Sequence, residues 1–119
     1  MAYGYYTYDM VYSIITDDFN KYAKENGIDI KVNLLLFSLQ NITGFLDDYD
    51  STVESFLQKG SKKYDIYLFD PVNTARYHNH FEDLSGLYPK EFFDKFNENA
   101  DKITIYKNKR VAVVSILIL

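Results

Sequence analysis

The stretch Tyr64-Asp65-Ile66-Tyr67-Leu68-Phe69-Asp70 decides the fold, because it is apolar on both faces apart from Asp65 and stops abruptly at Asp70-Pro71. A strand buried on one face alternates polar and apolar side chains, whereas a run without alternation is expected of an interior parallel strand with helices on each side. Tyr64–Phe69 is therefore read as such a strand.

Upstream, Val11, Ile14, Ile15, Phe19 and Tyr22 recur at three- and four-residue spacing over Asp9–Asn26, which predicts a helix with that stripe turned inward. Asp9 is its expected N-cap, and Asn26-Gly27 supplies the left-handed residue that ends it. Ala2–Tyr8, short and aromatic, reads as a strand feeding this helix. After Gly27 the period changes to two: Ile28, Ile30, Val32 and Leu34 alternate with Asp29, Lys31 and Asn33, a strand with one wet face near a sheet edge. Residues 38–50 show no sustained period and read as a loop with room for one short turn of helix. Ser51-Thr52-Val53-Glu54 then has the spacing of a capping box opening a helix that Gly60 closes.

Downstream of Asp70, a helix is expected over Thr74–Phe81, and another begins with Pro89 at its first position and turns Phe92, Phe93 and Phe96 inward. Ile103–Tyr106 and Arg110–Val114 flank Lys107-Asn108-Lys109, a hairpin reversal. Strand and helix in alternation predict an α/β fold, a single three-layer lobe with a mostly parallel sheet over residues 1–119. In such sheets ligands lie beyond the carboxyl ends of the strands. The loops there start at Tyr6–Asp9, Phe37–Asn41 and Asp70–Arg76.

Composition fits one folded domain: 119 residues, 47% hydrophobic and 25% charged. A net charge of −4 without a basic cluster argues against a nucleic-acid surface. The longest apolar run, Val111–Leu119, is less than half a membrane span. Met1–Tyr8 has neither the basic nor the apolar region of a secretory signal. With no cysteine there is no disulfide framework or thiol chemistry.

Four phrases together resemble the N-terminal lobe of the type II periplasmic binding proteins, extracellular solute-binding family 1, in a eukaryotic, fungal-type flavour. These are the helix through Asp18-Phe19-Asn20-Lys21-Tyr22 leading to Asn26-Gly27-Ile28-Asp29-Ile30-Lys31-Val32, then Tyr64–Asp70, Leu84-Ser85-Gly86-Leu87, and Ile105–Val113. Val114 stands where that family usually has Pro, and Asn108-Lys109 where it has Gly-Lys.

The resemblance implies a non-catalytic, extracellular or cell-surface protein that binds a small polar solute, a sugar by preference, and works with a membrane transporter or a fused receptor region. It implies no cofactor. By the same resemblance Tyr6, Tyr8 and Asp9 lie where the solute sits, with Asp70, Asn73, Arg76 and Tyr77 in the second contacting loop. The family also has a second lobe beyond a hinge, so the chain reads as a partial lobe, ending within an apolar strand.

Other chemistry is poorly supported by the residues. His78-Asn79-His80 with Glu82 and Asp83 reads as surface histidines rather than a metal site, since His at i and i+2 of a helix point to different sides. There is no Gly-x-Ser-x-Gly elbow and no phosphate loop, and nothing names a nucleophile or base. Asp17-Asp18 and Asp47-Asp48 read as solvated carboxylates. Asn41-Ile42-Thr43 is a glycosylation sequon, meaningful on an exported chain. The alternative function is a small α/β protein-interaction module, or a truncated product that self-associates through its C-terminal strand.

Overall fold

The computed structural model describes residues 1–3, 7–37 and 46–114, which contain both helices and short strands, a mixed α/β chain. Its contacts divide it into two compact units. The first comprises Met1–Phe56 with Ser61–Phe69, and the second Leu57–Gly60 with Asp70–Leu119.

In the first unit, β1 (Ala2–Tyr3) pairs in parallel with β2 (Leu36–Phe37), Ala2 opposite Leu36. On the other side, the Met1 ammonium donates to Ile66 O at 2.7 Å and Leu68 N donates to Met1 O at 2.9 Å. Two bonds bracketing Tyr67 in this way are the pattern of a parallel pairing. The N-terminal segment thus lies between 35–37 and 66–68, all three running the same way. Ala2 is fully buried and Met1 8% exposed.

Two helices accompany these strands. α1 (Thr7–Glu25) and α2 (Leu46–Gln58) both end on a left-handed glycine. Gly27 has φ +66° with Ile28 N donating to Ala23 O, and Gly60 has φ +60° with Ser61 N donating to Phe56 O. In each case the residue after the glycine reaches back five positions and satisfies a carbonyl the helix leaves open. On α2, Tyr49, Val53 and Leu57 recur every four residues and are all buried. The Tyr49 hydroxyl donates to Leu68 O at 2.6 Å and lies 3.2 Å from Met1 O, bracing the parallel pairing from the helix side.

The helices and the extended segments depart from the sequence pattern at several points. α1 begins at Thr7, so Asp9 is inside the helix rather than its cap. Its apolar stripe faces inward only in part: Val11 and Phe19 are half-buried but Ile14, Ile15 and Tyr22 are each more than half exposed, and the other buried or half-buried positions are Tyr12, Thr16, Asn20 and Ala23. The reason is Asn20. Its amide donates to Val32 O and accepts from Val32 N, both at 2.8 Å, occupying the place of a neighbouring strand and setting the helix's rotation.

That pairing also explains why no ladder forms over 28–35. Val32 has both backbone groups satisfied by a side chain, and Ile28 and Ile30 stay exposed. Tyr64–Phe69 is not assigned as a strand and is not covered on both faces, since Ile66 is 67% exposed. α2 starts within the expected loop, which places Ser51–Glu54 inside it and not at a capping box. A stripe continued back to Tyr49 outweighs the local capping signal.

The second unit is built from short turns. A 3-10 turn at Pro71–Asn73, α3 (Thr74–Tyr77) and a 3-10 turn at His78–His80 make one helical stretch, longer than the expected helix at its start. Pro89 is the N-cap of α4 (Lys90–Phe93), not its first residue. Phe92, Phe93 and Phe96 are only half-buried and pack on one another and on Tyr88. An unexpected helix, α5 (Glu98–Lys102), forms because the Asn97 side chain accepts from Asn99 N and Ala100 N.

The hairpin is present but tighter by one residue, β3 (Ile105–Tyr106) against β4 (Lys109–Arg110), and its ladder ends where Val111 N donates to Thr104 O. Lys107 and Asn108 both take positive φ, +49° and +62°. Such a two-residue loop matches the right-handed twist of the strands. Arg110 fixes the hairpin to α5 through a two-point contact with Asp101, Nη2 to Oδ2 at 2.8 Å, while its guanidinium lies 4.0 Å from the Phe93 ring centre.

Candidate functional site

The helical stretch 71–80 follows directly from the segment that pairs with Met1. Asp70 starts it by accepting from Val72 N at 2.9 Å, and Pro71 supplies a fixed φ and needs no donor partner. This cap consumes one oxygen of the exposed Asp70 carboxylate, giving that residue a structural task. The next turns carry the inward positions: Asn73 is 6% exposed, Thr74 5% and Tyr77 fully buried.

Tyr77 packs edge-on against Phe81 at 6.4 Å, so its ring is a core element of the second unit. Arg76 is exposed, its guanidinium 5.8 Å from the Tyr77 ring. The buried atoms Asn73 Nδ2 and Thr74 Oγ1 have no hydrogen-bond partner among the described residues. A buried polar atom left without a partner costs about 1–3 kcal/mol, and each such atom in a folded protein calls for an explanation.

Of the residues implied at the first contact, Tyr6 lies outside the described residues. Tyr8 and Asp9 have their backbone in the first turn of α1, and their side chains lie outside the described residues, as does the sequon at Asn41. The apolar 115–119 also falls outside them. Asp70, Asn73, Arg76 and Tyr77 do share one helical stretch, but only Asn73 combines burial with an unused polar atom. Thr74 was not singled out by sequence. Its place three residues before Tyr77, on the same helix face, is the one signal that could have found it.

The histidines have local roles. His78 Nδ1 donates to Ala75 O at 2.7 Å, which fixes its proton on that nitrogen, and the ring lies 4.5 Å from that of Tyr106. Lys109 Nζ donates to His78 O. Asp83 accepts from Ser85 N at 3.0 Å and Arg110 N at 3.3 Å. The Ser85 bond first, then the Arg110 amide and nearby Lys109, hold its carboxyl below the ordinary range. No three His, Asp or Glu side chains come together as a metal site among the described residues.

In the first unit, a shallow groove runs between α1 and the extended segment, lined by Ser13, Thr16, Asp17, Lys31, Asn33 and Leu34 among others. Thr16 donates to Tyr12 O and Asn20 is committed to Val32, so these two groups serve the fold. No helix among the described residues is long and apolar enough to cross a membrane. No protein-family model matches the chain, and neither a curated protein nor a solved structure does.

Proposed function

We propose that the chain is a non-catalytic lobe that binds a small polar solute, a carbohydrate by preference, as part of an extracellular transport or receptor-type binding protein. The observation that carries this reading is the common direction of 1–3, 35–37 and 66–68 in the first unit, whose carboxyl ends therefore lie at one edge. Ligands of open α/β sheets bind at that edge. The resemblance to the solute-binding family implies contacts from Asp70, Asn73, Arg76 and Tyr77, which share one helical stretch.

A mostly parallel, three-layer lobe related to the type II periplasmic binding proteins is the finer fold this reading takes, with a membrane transporter or fused receptor region as partner. Capture in such proteins occurs between two lobes closing on a hinge. One lobe supplies part of the contacts, so its affinity lies around 1 mM, about −4 kcal/mol. Titration with neutral sugars, uronic acids and amino acids, followed through backbone amide shifts, is expected to give saturable shifts within 70–77. No shift for any solute at tens of millimolar overturns the reading.

A second reading, a protein-interaction module, is favoured by the outward face of α1. Met10 is 70% exposed there, beside Ile14, Ile15 and Tyr22. Concentration-dependent sedimentation without any solute response favours this module over solute capture.

A further inference from the structure

We infer that residues 28–32 are an edge for pairing with a second copy of this chain, antiparallel about a two-fold axis at Ile30. This edge lies within the first unit alone and shares no residue with the outward face of α1. Pairing there does not depend on solute binding.

In an extended chain the backbone groups of successive residues point to opposite sides. Val32 turns both of its groups to the Asn20 amide, so Asp29, Lys31 and Asn33 turn theirs the other way. The backbone of these three makes no hydrogen bond among the described residues. Leu35, next in the same alternation, gives its carbonyl to Ala2 N, so this side already takes a strand further along. At the other end Gly27, with φ +66°, turns the chain out of the edge. A strand added over 28–32 leaves the Asn20 bonds in place.

The side chains say which strand fits. Ile28-Asp29-Ile30-Lys31-Val32 reads apolar, acidic, apolar, basic, apolar. Laid antiparallel on a second copy with Ile30 opposite Ile30, it sets Asp29 against Lys31 twice and Ile28 against Val32 twice. Charged pairs then fall on one face and apolar pairs on the other. Ile30 is 61% exposed, and Asp29 and Lys31 are exposed with no ion pair among the described residues. Opposite charges directly across such a pair are favourable and like charges unfavourable. Sliding the second copy by two residues either way puts Asp29 on Asp29 or Lys31 on Lys31, so the charges select the register.

The test uses the full chain at low ionic strength, with sedimentation and ¹⁵N amide shifts followed from about 20 µM to about 2 mM. A dimer with a dissociation constant of about 0.1–1 mM is expected, with concentration-dependent shifts at Asp29, Ile30 and Lys31. Asp29→Lys and Lys31→Asp are each expected to weaken it at least about tenfold, because both charged pairs become like pairs. The double variant, and an equimolar mixture of the two single variants, are expected to restore it.

A wild-type chain still monomeric at about 2 mM overturns self-pairing at this edge. Self-association that ignores both reversals, or that neither the double variant nor the mixture restores, overturns it as well. So do shifts confined to the outward face of α1, or shifts at 29–31 that only an added solute produces. The concentration series is read in the wild-type chain, so it decides the question even if a variant does not fold.

Discussion

The two units are held together by different kinds of contact. In the first, residues at the two ends of its sequence meet: Met1 bonds across to Ile66 and Leu68, and Ala2 to Leu35. In the second, most bonds close over two to five residues, as with Asp70 on Val72, Asp83 on Ser85 and Asn97 on Asn99. One side chain, Arg110, then ties these turns together by reaching Asp101, Thr104 and Phe93. Non-local pairing places strand ends at a common edge, while local caps only hold a turn in shape.

The largest effect expected from breaking this contrast is at the Arg110 hub. Its side chain is 11% exposed and that of Asp101 19%. Removing one partner leaves the other charge nearly buried, so Arg110→Ala should lower unfolding free energy by about 3 kcal/mol in a urea melt. A loss below that of an ordinary surface substitution would show that the local caps suffice. The corresponding probe of the first unit is smaller. Tyr49→Phe deletes the hydroxyl that braces Met1 O and Leu68 O, at a cost of about 1–2 kcal/mol by the same melt.

Smaller still, and of opposite sign, is Asn108→Gly. Asn108 has φ +62°, a conformation glycine adopts without strain, and the substitution should stabilise by about 0.5 kcal/mol. A loss of stability there would mean that the Asn side chain contributes more than its backbone conformation.

Acidity separates the units by window rather than by size. The Asp83 carboxyl is held below the ordinary 3.8 by its amide donors, so its contribution is present above that value and is lost as pH falls through the lowered pKa. Asp83→Asn should flatten this acid limb. The Met1 ammonium is shifted down from 8.0 by burial, so the unfolded chain takes up its proton first as pH falls. Stability should accordingly decline as pH drops from about 8 through the lowered value, a slope that Tm against pH will show.

Much of the local structure was legible in the sequence. Gly27 and Gly60 do end their helices, and the reversal at Lys107-Asn108 does form, because these depend on backbone conformations that few residues tolerate. The rotation of α1 was not legible. Periodicity counts Ile14, Ile15 and Tyr22 as the inward face, but it has no term for a side-chain amide that pairs with a strand's backbone, which is what Asn20 does.

The expected strand at 64–69 is an extended segment that touches the N-terminus through Ile66 O and Leu68 N without being assigned as a strand, and its burial was overestimated, since apolar content does not reveal how many neighbours a segment has. At the candidate site, Asp70 and Asn73 stood out as residues after a strand end. Thr74 did not: its spacing from Tyr77 puts it on the inward face, but an unsatisfied hydroxyl is a property of packing and leaves no mark on composition.

The common edge of the first unit depends on the N-terminal segment bonding on both sides, to 35–37 and to 66–68. Native-state hydrogen exchange of the Ala2 and Leu68 amides tests this most directly. Ala2 N donates to Leu35 O at 3.0 Å and Leu68 N to Met1 O at 2.9 Å, so both amides should exchange as slowly as those in the middle of α2. Exchange of these two at the rate of exposed loop amides, with α2 still protected, would contradict the account.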